Sequence, residues 1–160
     1  MNRQDQQDRR IVVGVDGSPS STAALRWAIH QARLTSCDVE AVIVWRMPTA
    51  YVIAPVANGA VGFEDDAEEI LDKVLAEFIA LEPDVIIRPV VVQGLAGNEL
   101  VHIARGAELL VVGSRGHSGL AGALLGSVSQ YCAHHATCPV LIDPRLVAAG
   151  EPVPRPGRAL

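Results

Sequence analysis

The residues best placed to do chemistry are the glycines and serines of one segment, Gly113-Ser114-Arg115-Gly116 followed by Gly126-Ser127-Val128-Ser129. Their spacing is Gly-x2-Gly-x9-Gly-Ser. Gly113 and Gly116 permit a tight turn and let backbone approach an anion closely. Gly126 and Ser127 open a stretch of helical character, and a helix start offers free N–H groups and a positive dipole end to a phosphate. The hydroxyls of Ser127 and Ser129 add donors. The segment reads as a phosphate cradle made mostly of backbone. It is not a Walker A loop, because no Gly-Lys-Ser/Thr follows, and it lacks the dinucleotide Gly-x-Gly-x-x-Gly pattern. On spacing alone, the same glycines also fit an ordinary surface turn before a capped helix.

Such a cradle works only if a scaffold holds it. Ile11-Val12-Val13-Gly14-Val15 is a continuous apolar run of the kind found in strands buried on both faces. Ser18 and Pro19 then suit a helix cap and first turn, with Ala23, Ala24, Trp27, Ala28, Gln31 and Ala32 at helical spacing. A second strand is predicted over Val39–Trp45. Residues 47–62 have no period, and a loop of that length is either a functional lid or mobile. Helical signals resume at Glu64, with acidic residues in the first turn and an apolar stripe of Ile70, Val74, Leu75, Phe78 and Leu81. A third strand spans 85–92; its Pro89 places it at a sheet edge. A short helix over 96–105, a fourth strand over 108–113, a helix over 127–136 and a fifth strand, Pro139–Ile142, complete the order. Alternating helices and β-branched strands predict an α/β protein with a parallel sheet covered on both faces. Ligands of such sheets sit beyond the carboxyl ends of the strands, where the strand order switches. That directs attention to Asp16, to Val44 through Arg46 and to Gly113 onward.

The chain has 160 residues, enough for one domain with a substantial core. A net charge of −5 with both signs interspersed argues against a nucleic-acid-coating surface. The polar start MNRQDQQDRR and an odd count of three cysteines suit a cytoplasmic, reducing setting, and no apolar run is long enough for a membrane span. Residues 1–9 and the Pro-rich stretch 144–160 read as disordered ends of a domain at 10–143.

Several segments in the same order resemble the universal stress protein family. They are Ile11-Val-Val-Gly-Val-Asp-Gly-Ser18, Ala41-Val-Ile-Val-Trp45, the Gly-x2-Gly-x9-Gly-Ser segment and Cys138-Pro-Val-Leu-Ile142. The resemblance covers about residues 10–143. It implies a single open five-stranded parallel sheet in the order 3-2-1-4-5, the Rossmann-like fold of the adenine nucleotide α-hydrolase-like group. It implies that Gly113, Gly116, Gly126, Ser127 and Ser129, with Val128 between the serines, hold phosphate and ribose. It places Asp16 at the adenine and ribose end and Val44 against the base. Members with this glycine pattern tend to bind ATP; ADP or AMP are related candidates, with a divalent cation such as Mg beside the phosphates. It also implies a homodimer through the last strand, Val140, Leu141 and Ile142, an apolar edge that pairing would cover. Ile43 departs from the family, which often has His there, with little effect expected on the site.

The remaining candidates are ambiguous at this level. Asp16 either meets ligand or helps cap the first helix. Arg115, the positive charge inside the glycine loop, either reaches a phosphate or is merely solvated, and His117 shares that ambiguity. Cys132, His134, His135 and Cys138 raise the idea of zinc, but their spacing is poor and small buried cysteines are the better reading. Trp27 and Trp45 are core or site wall. No nucleophile–base set emerges from the spacing. A nucleotide-responsive binding module is therefore favoured, the alternative being a slow ATP hydrolase or adenylate-cleaving enzyme of the same fold group.

Overall fold

A computed structural model describes residues 9–47, 62–115 and 125–143. The elements are β1 (Arg10–Val15), α1 (Pro19–Thr35), β2 (Asp38–Trp45), α2 (Phe63–Leu81), β3 (Ile87–Gln93), α3 (Ala96–Ile103), β4 (Leu109–Gly113), α4 (Ser127–His135) and β5 (Val140–Asp143). The polar N-terminus, most of the 47–62 loop, Gly116 and His117, and the C-terminal tail lie outside the described residues.

The strands form one parallel five-stranded sheet in the order β3-β2-β1-β4-β5. This is the expected order, and Pro89 sits on the β3 edge, where a missing donor is tolerated. Strand alternation divides the core in two. Ile11, Val13 and Val15 of β1 join Val39, Ala41 and Ile43 of β2 beneath α1 and α2. Val12 and Val42 face the other way and pack with Leu100 of α3 and Cys132 of α4. Helices therefore cover both faces, and the central strands are mostly apolar, with the charged Arg10, Asp38 and Glu40 confined to the first halves of β1 and β2.

Local chemistry explains where α1 begins. Gly17 has φ 78°, a turn conformation that favours glycine. Ser18 caps the helix by accepting from the Ser21 N–H at 3.2 Å, and Pro19 occupies its first turn. The small residues of α1 let it lie close on the sheet: Ala24, Ala28 and Ala32 are buried.

Two expectations need correction. The buried stripe of α2 is Ala67, Leu71, Leu75 and Phe78, whereas Ile70 and Leu81 are exposed. The helix is turned so that its smaller Ala67 meets the sheet side. The third strand begins at Ile87 rather than at 85; Val85 is buried in the preceding turn.

Candidate functional site

The strand order reverses between β1 and β4, because the chain leaves β1 toward one edge and β4 toward the other. A cleft of about 260 Å³ opens there at the carboxyl ends of the strands. Gly14, Asp16, Val42, Val44, Val112 and Gly113 line it from the sheet. Ala96 and Leu100, one turn apart on α3, form a wall, and Arg115 with Gly126, Ser127, Val128 and Ser129 forms the other end. Eight of the nine residues expected at a ligand site, all but Gly116, thus meet around one cleft. Gly116 falls outside the described residues.

The polar end is built from backbone. Gly126 is the N-cap of α4, with φ −74° and ψ 163°, and no side chain caps this helix. The first amides of α4 have no intrahelical acceptor, so their N–H groups and the helix dipole are presented at the cleft. The Gly126 backbone suits any residue, so its glycine is not demanded by conformation. A chain of backbone bonds fixes this start. Ser114 N–H donates to Asp143 O at 3.0 Å, and Gly126 N–H donates to Ser114 O at 2.7 Å.

Ser129 plays a different part from the one its type suggested. Its hydroxyl is buried and donates to Gly113 O at 2.8 Å. That proton clamps α4 to the end of β4 and is not offered to a ligand. Gly113 also owes its identity to packing. A Cβ there would lie 2.5 Å from Ser20 Oγ and 2.8 Å from the Ser20 carbonyl carbon, so the absence of a side chain admits the first turn of α1. Ser20 Oγ in turn accepts from the Arg115 N–H at 3.4 Å. The Arg115 side chain is exposed at the rim.

Asp16 stands both at the turn into α1 and at the border of the cleft. Its Oδ1 accepts from the Ser18 N–H at 2.9 Å, bracing the turn into α1, and the residue borders the cleft. The opposite end of the cleft is apolar, made by Val42, Val44, Ala96 and Leu100. Ile43, between the two valines, points into the α1–α2 core and away from the cleft. Trp27 and Trp45 pack on that same far side.

The cysteine and histidine cluster does not converge. Cys132 is fully buried, while His134 and His135 are exposed and turn Nδ1 toward Gln130 O and Tyr131 O. Burial, followed by nearby Cys138, pushes the Cys132 thiol up to about 11, and burial also raises Cys138. Such thiols are poor nucleophiles. Among the described residues, no group of three or more His, Cys, Asp or Glu could hold a metal ion, and no helix is long and apolar enough to cross a membrane.

Gly14, Val42, Ala96, Leu100 and Val112 were not expected at the site. Strand alternation could have placed Val42 with Val44, but the α3 residues declare themselves only through packing.

Fold and cleft together define a Rossmann-like α/β protein with its opening at the switch point. A model of the universal stress protein family matches residues 8–144, and the chain belongs to that family. It is 36% identical over 138 residues to universal stress protein Rv2005c of Mycobacterium tuberculosis, covering 86% of this chain and 46% of that protein. Rv2623 of the same species is 35% identical over 136 residues, covering 85% and 45%. The chain spans about half the length of the curated relatives it matches. Among solved structures it is similar in fold to hypothetical protein MJ0577, with TM-score 0.71 and 22% identity over 85% of this chain and 95% of that one. A universal stress protein solved in complex with cAMP gives TM-score 0.64 and 27% identity, covering 84% and 96%.

Proposed function

We propose that this chain is an adenine nucleotide-binding regulatory module that takes ATP, or ADP or AMP, in the switch-point cleft. The carrying observation is the cleft's polarity: free amides of an uncapped helix start at one end and an apolar slot at the other. That arrangement suits a phosphate chain and a flat base. Gly113, Gly126, Ser127 and Val128 face the phosphates and ribose through backbone, and Gly116 joins them in the segment between. Ser129 holds α4 in place. Asp16 accepts from the ribose, Val44 lies against the base, and Arg115 at the rim approaches the outer phosphates. The relative solved with cAMP supports an adenine ligand here. A divalent cation such as Mg would accompany the phosphates.

Binding is favoured over turnover. Asp16 is the one carboxylate lining the cleft among the described residues, and it already braces the α1 turn. Among the described residues, the cleft thus pairs an anion site with no arranged nucleophile–base couple. The module pairs with a second copy through β5, whose Val140, Leu141 and Ile142 are partly exposed at the sheet edge. Calorimetry with ATP, ADP and AMP, combined with mass spectrometry of ligand carried through purification, tests the reading. Saturable binding of one of them at micromolar levels is expected. No binding by any would refute it. Product formed at many turnovers per minute would favour the hydrolase instead.

A further inference from the structure

Register pairs Gly14 of β1 with Val42 of β2, and Val112 of β4 flanks Gly14 on its other side, on the face toward α3. The row has a gap at its centre, where glycine carries no side chain. Leu100 of α3 is seated in that gap. A Cβ on Gly14 would lie 2.9 Å from Leu100 Cδ1 and 3.6 Å from Val112 Cγ1. Leu100 is 3% exposed and packed into the α3–α4 core, yet it also lines the cleft at its apolar end.

We infer that Gly14 and Leu100 form a depth gauge for the base: glycine lets the leucine sink into the sheet, and the leucine's height decides how far a base can enter. This rests on the nucleotide reading of the cleft and adds to it the pair that fixes the base end. A methyl group on Gly14 must lift Leu100 by roughly 0.6–1 Å to restore ordinary carbon–carbon contact. On its core side Leu100 meets close-packed side chains, which yield little. The cleft is the side with room. The displaced atom is the free end of a flexible side chain, so the fold survives while the slot becomes shallower.

The test is calorimetry with two probes, ADP and inorganic pyrophosphate, on wild type, Gly14→Ala and Gly14→Ala/Leu100→Val, with thermal melts to confirm folding. Gly14→Ala should weaken ADP about tenfold, as expected for about one methyl of overpacking, and leave pyrophosphate, which has no base, unchanged. Shortening the leucine in the same protein should return ADP to within about threefold of wild type. Equal ADP affinity of wild type and Gly14→Ala, or no recovery in the double variant, would overturn the proposal while leaving the nucleotide reading intact. Failure of the wild type to bind ADP, ATP or AMP would remove that reading and the proposal with it. Should the variants not fold, wild type with methyl-labelled leucine decides the matter. A nuclear Overhauser contact between Leu100 and a base proton of ADP is required, and its absence overturns the pairing.

Discussion

Gly126→Asp separates helix stability from ligand binding, because the two should move in opposite directions. Gly126 is the N-cap of α4, and its φ and ψ are open to any residue. Aspartate is among the best N-caps: it should improve on glycine by a few tenths of a kcal/mol through its bond to a free amide, and by ~0.3–1 kcal/mol more through the helix dipole. The folded state should therefore be unchanged or slightly more stable. A phosphate held by the same amides would meet that carboxylate at close range. Two unit charges about 4 Å apart repel by ~4 kcal/mol at an effective dielectric of about 20, and solvent at the open rim lowers this to about half. The expected loss of ATP affinity lies between about thirtyfold and about a thousandfold.

Calorimetry at low and moderate salt, beside a thermal melt, reads both effects. Gly126→Asn is the control, since it has the same bulk without the charge. A loss equal in Asn and Asp variants would mean that space, not charge, matters at this position. Unchanged affinity in the Asp variant would refute the placement of phosphate at the α4 start. A melt lowered by several degrees would refute the claim that this glycine is dispensable to the fold.

Other outcomes follow from individual contacts. Ser129→Ala should lower stability by ~1 kcal/mol, because the part-buried Gly113 carbonyl loses its 2.8 Å donor; an unchanged denaturation midpoint would contradict the clamp. Leu141→Lys should convert a dimer to monomer by light scattering at tens of micromolar, whereas a monomeric wild type or a dimeric mutant would place the interface elsewhere. The Cys132 thiol, raised from 9.0 to about 11 by burial, binds its proton more tightly in the folded state. Stability should be flat with respect to this group below about pH 9, then fall by up to ~2 kcal/mol as pH rises through about 11; Cys132→Ala should remove that portion of the alkaline slope, measured by denaturant titration at several pH values.

The strands were legible because central parallel strands are apolar on both faces, so runs such as Ile11–Val15 stand out without a period. The segment that forms the polar end of the cleft was legible for a different reason: its glycine and serine spacing is visible in the sequence. What sequence could not show is the purpose of each glycine. Gly113 makes room for Ser20 of α1, Gly14 makes room for Leu100 of α3, and Gly126 answers to no steric demand of its own backbone. These depend on which element crosses overhead. The α2 stripe is not legible in the sequence because Ile70 and Leu81 are as apolar as the residues that are buried, and only the rotation of the helix on the sheet decides between them.

A site built this way resists the usual method of finding sites. Truncation to alanine deletes side-chain groups, but the donors at the α4 start are main-chain amides that survive every such substitution. Removing the Ser127 hydroxyl leaves its N–H in place, and removing the Ser129 hydroxyl acts through the position of α4. The informative changes are therefore additions: a carboxylate at Gly126, a methyl at Gly14. They act at opposite ends of one cleft, so their effects should separate by probe. Pyrophosphate should sense the first and not the second, because charge matters where the α4 amides face the cleft and bulk matters at its apolar end, which Leu100 lines.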